Sequence, residues 1–298
     1  MTETTTGSKT GGAGGGGITT WPALEIARAV REARVTPGDV IQAHLDQIAR
    51  LEPEIHAFQV VLAEPATAEV HALGGRPDLA TLPLAGVPVA VKDNVDVAGA
   101  PTRHGSAATS AQPARRDDEL VRRLRAAGCV VIGKTQMPEF AIWPFTEPAA
   151  FAATRNPWDS SRTPGGSTGG GAAALAAGMA ALALGSDGGG SIRIPAACCG
   201  VVGLKPGPGI VPLAGGAEQH WHGLTAFGPL ARTVGDAAAA LDVLAGANRC
   251  TGPVPPPGSL RVAYSAAPAT FGARVTPAVR AALAAAVEAL REASHTLV

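Results

Sequence analysis

The run from Leu82 to Val91 is almost without polar side chains, and it ends abruptly in Lys92-Asp93-Asn94. A strand with one wet face alternates apolar and polar residues. An unbroken apolar run belongs instead to a strand covered on both faces, the situation of sheets that carry helices on either side. The chain supplies such helices. Asp117 to Ala127 has the amphipathic period and stops at Gly128, and Cys129 to Ile132 is a second apolar run. Together these predict a strand–helix–strand unit. A second unit follows, with a Gly/Ala-rich helix over about 170–177 and a strand over about 179–184. The expected class is therefore α/β, a central mixed and mostly buried β-sheet flanked by helices.

Helix starts are marked by paired side chains. Thr36-Pro37-Gly38-Asp39 and Thr233 to Asp236 each place a threonine three residues before an acid, so that hydroxyl and carboxylate can satisfy orphan N–H groups at the first turn. The first predicts a helix with Ile41, Leu45 and Ile48 on one stripe, ending before Pro53. With a helix over 23–31 it is expected to clamp the outside of the body. The second predicts an Ala-rich helix to about Gly246. The proline cluster at 253–257 reads as a linker, Leu260 to Tyr264 as a strand, and Thr276-Pro277 as the start of a last helix reaching about Ala293.

Composition narrows the classes of function. Lys and Arg equal Asp and Glu, 24 each, so nothing electrostatic favours nucleic acid or an anionic membrane surface. The most apolar stretch, 169–185, is dominated by small residues and runs straight into a glycine turn, which suits a buried helix and strand better than a membrane span. Residues 1–18 are Gly/Thr-rich without an apolar leader core and read as a disordered tail, leaving 19–298 as the folded domain. The four cysteines, Cys129, Cys198, Cys199 and Cys250, have neither disulfide-framework nor zinc spacing. They predict reduced thiols, a cytoplasmic location and no metal.

Two glycine-framed serines stand apart. Ser167 lies within Gly165-Gly166-Ser167-Thr168-Gly169-Gly170-Gly171. A phosphate-binding loop would end in Gly-Lys-Ser/Thr, and this segment has no lysine. Its glycines permit unusual backbone geometry around one hydroxyl; an ordinary glycine-rich helix start is the plainer alternative. Ser191 follows Gly188-Gly189-Gly190, where successive N–H groups can converge on one oxygen and a serine at the end can attack; a flexible loop is the alternative there. Lys92 by itself reads as a strand-end lysine reaching water. Buried, it would lose its charge, since desolvation penalises the ammonium and draws the pKa from about 10.4 toward 7–8, where an amine works as a base. The seven histidines are scattered, and His220-Trp221-His222, the densest pair, reads as a surface loop or pocket rim.

At these residues the chain strongly resembles the amidase signature family. The matching text includes 86–94, 133–140, 154–159, 162–167, 185–193, 200–206 and 228–234. The resemblance implies an amidase that forms an acyl-enzyme on Ser191, with Ser167 as a bridging serine after a cis peptide and Lys92 as the base. It implies an oxyanion hole from the N–H groups of Gly188, Gly189, Gly190 and Ser191, with Asp187, Arg193 and Thr168 in support. No cofactor is implied. Ile194 is apolar where relatives acting on polar acyl groups often carry a polar residue, which implies apolar or aromatic acyl amides. Thr168, Gly171 and Gly188 depart from the family's usual serine, serine and threonine. The family's members are also longer, so the resemblance implies a C-terminally truncated member with an apolar sheet edge uncovered. The expected partner is a small-molecule amide, with neither nucleic acid nor membrane, and a homodimer is the assembly to test. Two alternatives remain open: an inactive truncated remnant, and the A-type component of a glutamyl-tRNA amidotransferase.

Overall fold

Strand structure begins later than the apolar run that announces it. In the computed structural model, which describes residues 17–213, 221–248, 250–252, 258–268, 272 and 274–298, the strand expected from Leu82 starts at Pro88. Gly86 turns the chain with φ +71°. The N–H groups of Leu84 and Gly86 donate to the carbonyls of Ala127 and Gly128 (3.0 and 2.9 Å). The buried Leu82 and Leu84 thus fill core space from a loop, because apolar composition specifies burial and not backbone conformation.

The elements run in chain order as α1 (Ala23–Arg31), α2 (Pro37–Ile55), β1 (Phe58–Val61), α3 (Ala63–Gly74), β2 (Pro88–Lys92), α4 (Glu119–Ala126), β3 (Val130–Thr135), α5 (Gly169–Ala176), β4 (Leu182–Asp187), α6 (Arg193–Cys199), β5 (Val202–Gly203), β6 (Ala226–Ala231) and α7 (Val234–Ala245). These lie in one compact unit, Met1–Gly252; a second unit spans Pro253–Val298. The sheet of the first unit has the order β1-β3-β2-β4-β6-β5. Its centre is parallel, with β2 between β3 and β4, and its flanks are antiparallel, with β1 on β3 and β6 on β4 and β5. Every residue of β2, β3, β4 and β6 is buried, which explains their unbroken apolar text.

Capping chemistry sets several helix ends. Thr36 Oγ1 accepts from the Asp39 N–H (3.1 Å), and Asp39 Oδ2 accepts from the Thr36 N–H (3.0 Å). Thr233 Oγ1 caps α7 through the Asp236 N–H (3.1 Å), and Gly246 ends the helix at φ +68°. The Asp236 carboxylate, contrary to expectation, does not complete the pair: its Oδ1 accepts from the Leu24 N–H of α1 (2.9 Å), a distant partner. Contrary to expectation, α2 does not stop before Pro53 but continues to Ile55. A proline this close to a helix end forgoes one hydrogen bond without blocking a long continuation. The Glu52 carboxylate then accepts from the N–H groups of Ala57 and Phe58 (2.9 Å each), turning the chain into β1. On α2 the buried stripe is Ile41, His44 and Ile48, with Leu45 half-buried at its edge. His44 Nδ1 meets the Val40 carbonyl at 2.8 Å, and burial lowers its pKa to about 4, so the ring is neutral there.

Elements that the sequence does not announce are β1, α3, α6, β5 and β6. α3 buries only Ala66 and Leu73. β6 contains Gly228 and Pro229, residues that argue against an inner strand. The geometry requires the glycine: a Cβ there would lie 2.3 Å from the Leu204 carbonyl oxygen. The segment 169–185, the most apolar stretch, is α5 and most of β4, and no helix among the described residues is long and apolar enough to cross a membrane. In the second unit β7 (Arg261–Val262) and β8 (Thr296–Leu297) pair in parallel around α8 (Pro277–Glu292), so the strand expected over 260–264 shortens and the last helix stands as anticipated. The proline linker at 253–257 lies outside the described residues, as does most of the tail at 1–18.

Gly228→Ala should lower stability by about 1–3 kcal/mol, since backbone and not a flexible side-chain tip must move. Gly74→Ala, with nothing within 4 Å of its added carbon, should be neutral or stabilising. Urea unfolding midpoints of both proteins check the pair; equal midpoints would contradict the close packing of β6.

Candidate active site

The parallel strands β2, β3 and β4 all end at one edge of the sheet, and each ends in a polar residue pair: Lys92-Asp93, Lys134-Thr135 and Ser186-Asp187. The carboxyl ends of parallel strands are where such sheets hold their sites. All six residues are buried.

Lys92 has no solvent exposure. Its Nζ lies 2.8 Å from Ser167 Oγ, 2.9 Å from Ser186 Oγ and 3.3 Å from the Ser186 carbonyl oxygen. Burial drives its pKa from 10.5 to about 7, against a smaller opposing pull from Asp187. A neutral amine carries two N–H bonds and one lone pair. The Ser186 carbonyl can only accept, so it takes one N–H. The other N–H and the lone pair then divide between the two hydroxyls. Asn94 Nδ2 also donates to Ser186 Oγ, at 3.0 Å. Sequence does not single out Ser186 and Asn94, because neither residue type is unusual after an apolar strand.

Ser167 is buried, preceded by a cis Gly166–Ser167 peptide, and held in the loop that opens α5. Glycines are required around it for space. A Cβ on Gly166 would lie 2.6 Å from Phe145 N, and one on Gly169 2.1 Å from Thr146 Oγ1. Thr146 Oγ1 donates to the Gly165 carbonyl at 2.8 Å. Thr168 joins the two serine loops: its N–H donates to the Ser191 carbonyl at 3.0 Å and its Oγ1 to the Ser186 carbonyl at 3.4 Å.

Ser191 is half-buried at the end of a loop wound around Asp187. Asp187 Oδ1 accepts from the Gly190 N–H (2.6 Å) and Arg193 Nη2 (2.9 Å). Oδ2 accepts from the N–H groups of Ile192 (3.1 Å) and Arg193 (3.3 Å) and from Arg193 Nε (2.9 Å). Burial raises the Asp187 pKa, but the guanidinium and the backbone N–H groups outweigh it and hold the value at about 2. These bonds tie Arg193 and three loop N–H groups to one carboxylate. One expectation needs correction. The Gly190 N–H is engaged by Asp187 and is not free for a substrate oxygen, which leaves Gly188, Gly189 and Ser191 as the candidate donors.

A second buried lysine stands beside the first. Lys134 Nζ lies 2.9 Å from Asp93 Oδ1, both fully buried, and donates to the Pro101 carbonyl (2.8 Å) and Thr102 Oγ1 (2.6 Å). Asp93 Oδ2 accepts from the Arg103 N–H at 3.2 Å. The pair ties the loop at 101–105 to the sheet beside Lys92. Its signal is present in the sequence: like Lys92, Lys134 is a lysine ending an apolar run.

Ile194 lies over Gly190, with Cδ1 2.7 Å from where a Cβ would stand. His222 is exposed, and His220 is outside the described residues. All four cysteines are free thiols, Cys129 and Cys199 buried, Cys198 and Cys250 exposed. Among the described residues there is no group of three or more His, Cys, Asp or Glu side chains that could hold a metal ion.

Comparison with known proteins places the chain. The model of the amidase family matches residues 39–298. A Mycobacterium tuberculosis protein named "Putative amidase AmiB2" is 46% identical over 285 residues, which are 91% of this chain and 60% of that protein. The A-type component of the glutamyl-tRNA(Gln) amidotransferase of Corynebacterium jeikeium is 45% identical over 77% of this chain and 46% of its own length. Among solved structures, 6-aminohexanoate cyclic dimer hydrolase in complex with its substrate superposes with a TM-score of 0.77 at 33% identity, over 94% of this chain and 60% of that one. The chain thus spans about three-fifths of the length of the first of these relatives.

The depressed Lys92 pKa has a consequence for stability. Folded, the amine is neutral above about pH 7; unfolded, it keeps its proton to about pH 10.4. Between these values the unfolded chain binds more protons, so this group's contribution to stability rises with pH, and below pH 7 the buried ammonium costs its full penalty. The stability of Lys92→Met relative to the parent should therefore fall by about 2–3 kcal/mol from pH 6 to pH 9 in urea titrations. A difference that stays constant with pH would assign Lys92 an ordinary pKa.

Proposed function

This chain belongs to the amidase family, and we propose that it hydrolyses a carboxylic amide to an acid and an amine or ammonia through an acyl-Ser191 intermediate. The observation that carries this reading is the fully buried Lys92 amine, 2.8 Å from Ser167 Oγ, with its pKa brought to about 7.

In this reading Ser191 Oγ attacks the amide carbonyl carbon. Its proton passes to Ser167 Oγ as the Ser167 proton passes to Lys92, so the lysine becomes an ammonium while the carbonyl oxygen becomes an anion. The N–H groups of Gly188, Gly189 and Ser191 stabilise that oxyanion, and the bonds to Asp187 fix the loop before charge develops. Collapse breaks the C–N bond, and the leaving nitrogen takes the proton back along the same route. Water, deprotonated by the same relay, then attacks the acyl ester and releases the acid and Ser191.

Ile194 over Gly190 favours apolar or aromatic acyl groups. The free thiols suit a reducing compartment, the cytoplasm. A second reading, the A-type component that releases ammonia within an amidotransferase, is favoured by the similarity to the Corynebacterium protein. The apolar Ile194 counts against it. Co-purification with a second, different protein chain, together with turnover of glutamine in preference to an aryl amide, would reverse the choice. A remnant without activity is the third outcome.

A serine-reactive fluorophosphonate should label Ser191, and Ser191→Ala should abolish labelling. Lys92→Met should lower kcat by about two to four orders of magnitude. For the parent, kcat/KM should rise with pH through an apparent pKa near 7, because the base must be uncharged to accept a proton. Absence of labelling in folded protein would select the remnant, and a profile that falls through pH 7 would remove Lys92 as base.

A further inference from the structure

The loop before Ser191 carries an aromatic ring on its surface. A Cβ built on Gly188 would lie 3.2 Å from Trp221 Cε3 and 3.4 Å from its Cδ2, and one on Gly189 would lie 3.8 Å from Cζ3. The six-membered part of the indole therefore lies beside both glycines, and a Cβ at 188 would sit tighter against it than ordinary van der Waals contact. A side chain at 188 would press on the Thr225 hydroxyl (3.1 Å) as well as on the ring, so the glycine leaves room for both. Trp221 is 41% exposed, so part of this residue is open to solvent. The turn that carries it is closed by the Leu224 N–H on the Trp221 carbonyl at 3.0 Å. The loop beside the ring is fixed too, since Asp187 holds the Gly190 N–H at 2.6 Å. At the far end of the same loop Ile194 covers Gly190. Apolar groups thus flank the glycine amides at both ends, while the loop's own charged side chains, Asp187 and Arg193, are engaged with each other.

Resting on the amidase reading, we propose that Trp221 is a specificity-determining residue, a platform that selects amides bearing an aryl or extended apolar substituent. An amide held by the glycine N–H groups has its substituents beside this loop. A flat apolar group can then stack on the ring, gaining burial and the offset geometry that aromatic pairs prefer. A short aliphatic amide does not reach the ring and gains nothing from it.

The test uses Ser191→Ala protein, which keeps the loop but does not turn substrate over, with Trp221, Trp221→Phe or Trp221→Ala, and titrates 4-phenylbutanamide and propanamide by calorimetry. Trp221→Ala should weaken the aryl amide about ten-fold and change propanamide by less than about two-fold, with Trp221→Phe in between. Equal weakening of both amides, or no change in either, overturns the proposal. Fluorophosphonate labelling of the Ser191 protein separates the two readings. Loss of labelling with aryl binding intact removes the amidase and keeps the platform, while labelling with no Trp221 dependence of binding does the reverse.

Discussion

An ammonium group buried at the end of β2 would be intolerable as a charge, and the surrounding structure follows from how that is resolved. Burial lets the proton leave above about pH 7, and the resulting amine is saturated by two hydroxyls and a carbonyl. Those groups come from the start of α5 and the end of β4. Placing them requires a parallel pair, β2 with β4, in which β4 runs on past the end of β2 to carry Ser186, and a glycine-rich loop tight enough to bring Ser167 within reach. The sheet order and the close packing at 165–171 are therefore conditions for one amine to remain inside the protein.

Charge at the same sheet edge is handled in two other ways. Asp187 is ionised and surrounded by N–H donors and a guanidinium, so its negative charge is used to wind a loop into a fixed shape. Asp93 and Lys134 neutralise each other with no exposure and draw the 101–105 loop onto the sheet. Buried pairs of this kind add little net stability, yet removing one member costs several kcal/mol, because the other is left uncompensated. Three solutions to the same electrostatic problem, neutralisation, donor solvation and ion pairing, stand side by side at the ends of β2, β3 and β4. Each orders a different piece of backbone at that edge.

Much of the fold is legible in the sequence. The paired Thr36–Asp39 cap, the Thr233 hydroxyl on the Asp236 N–H, the stop at Gly128 and the double-sided burial of β2 and β3 follow from local chemistry that needs no distant partner. What escapes such reading is governed by distant contacts. β6 carries Gly228-Pro229 and looks unlike a strand until the Leu204 backbone is seen lying against it. α2 passes Pro53 because Glu52 closes its end onto β1, a strand too short to announce itself.

For the site the same division holds. Sequence alone determined the chemical inventory: a lysine ending an apolar run, two serines in glycine-rich turns, and an acid and an arginine bracketing the second. Residue types and spacing are local properties, whereas Lys92 by itself reads as reaching water, so its burial belongs to the tertiary structure. Only the tertiary structure decided which groups share that lysine, adding Ser186 and Asn94 and pairing Asp93 with Lys134. It also withdrew Gly190 from the set of free amides and laid Trp221 beside Gly188. Hydrogen bonds and van der Waals contacts act over a few ångströms, and the residues they join here lie on different strands and loops, so their meeting depends on strand order and loop path.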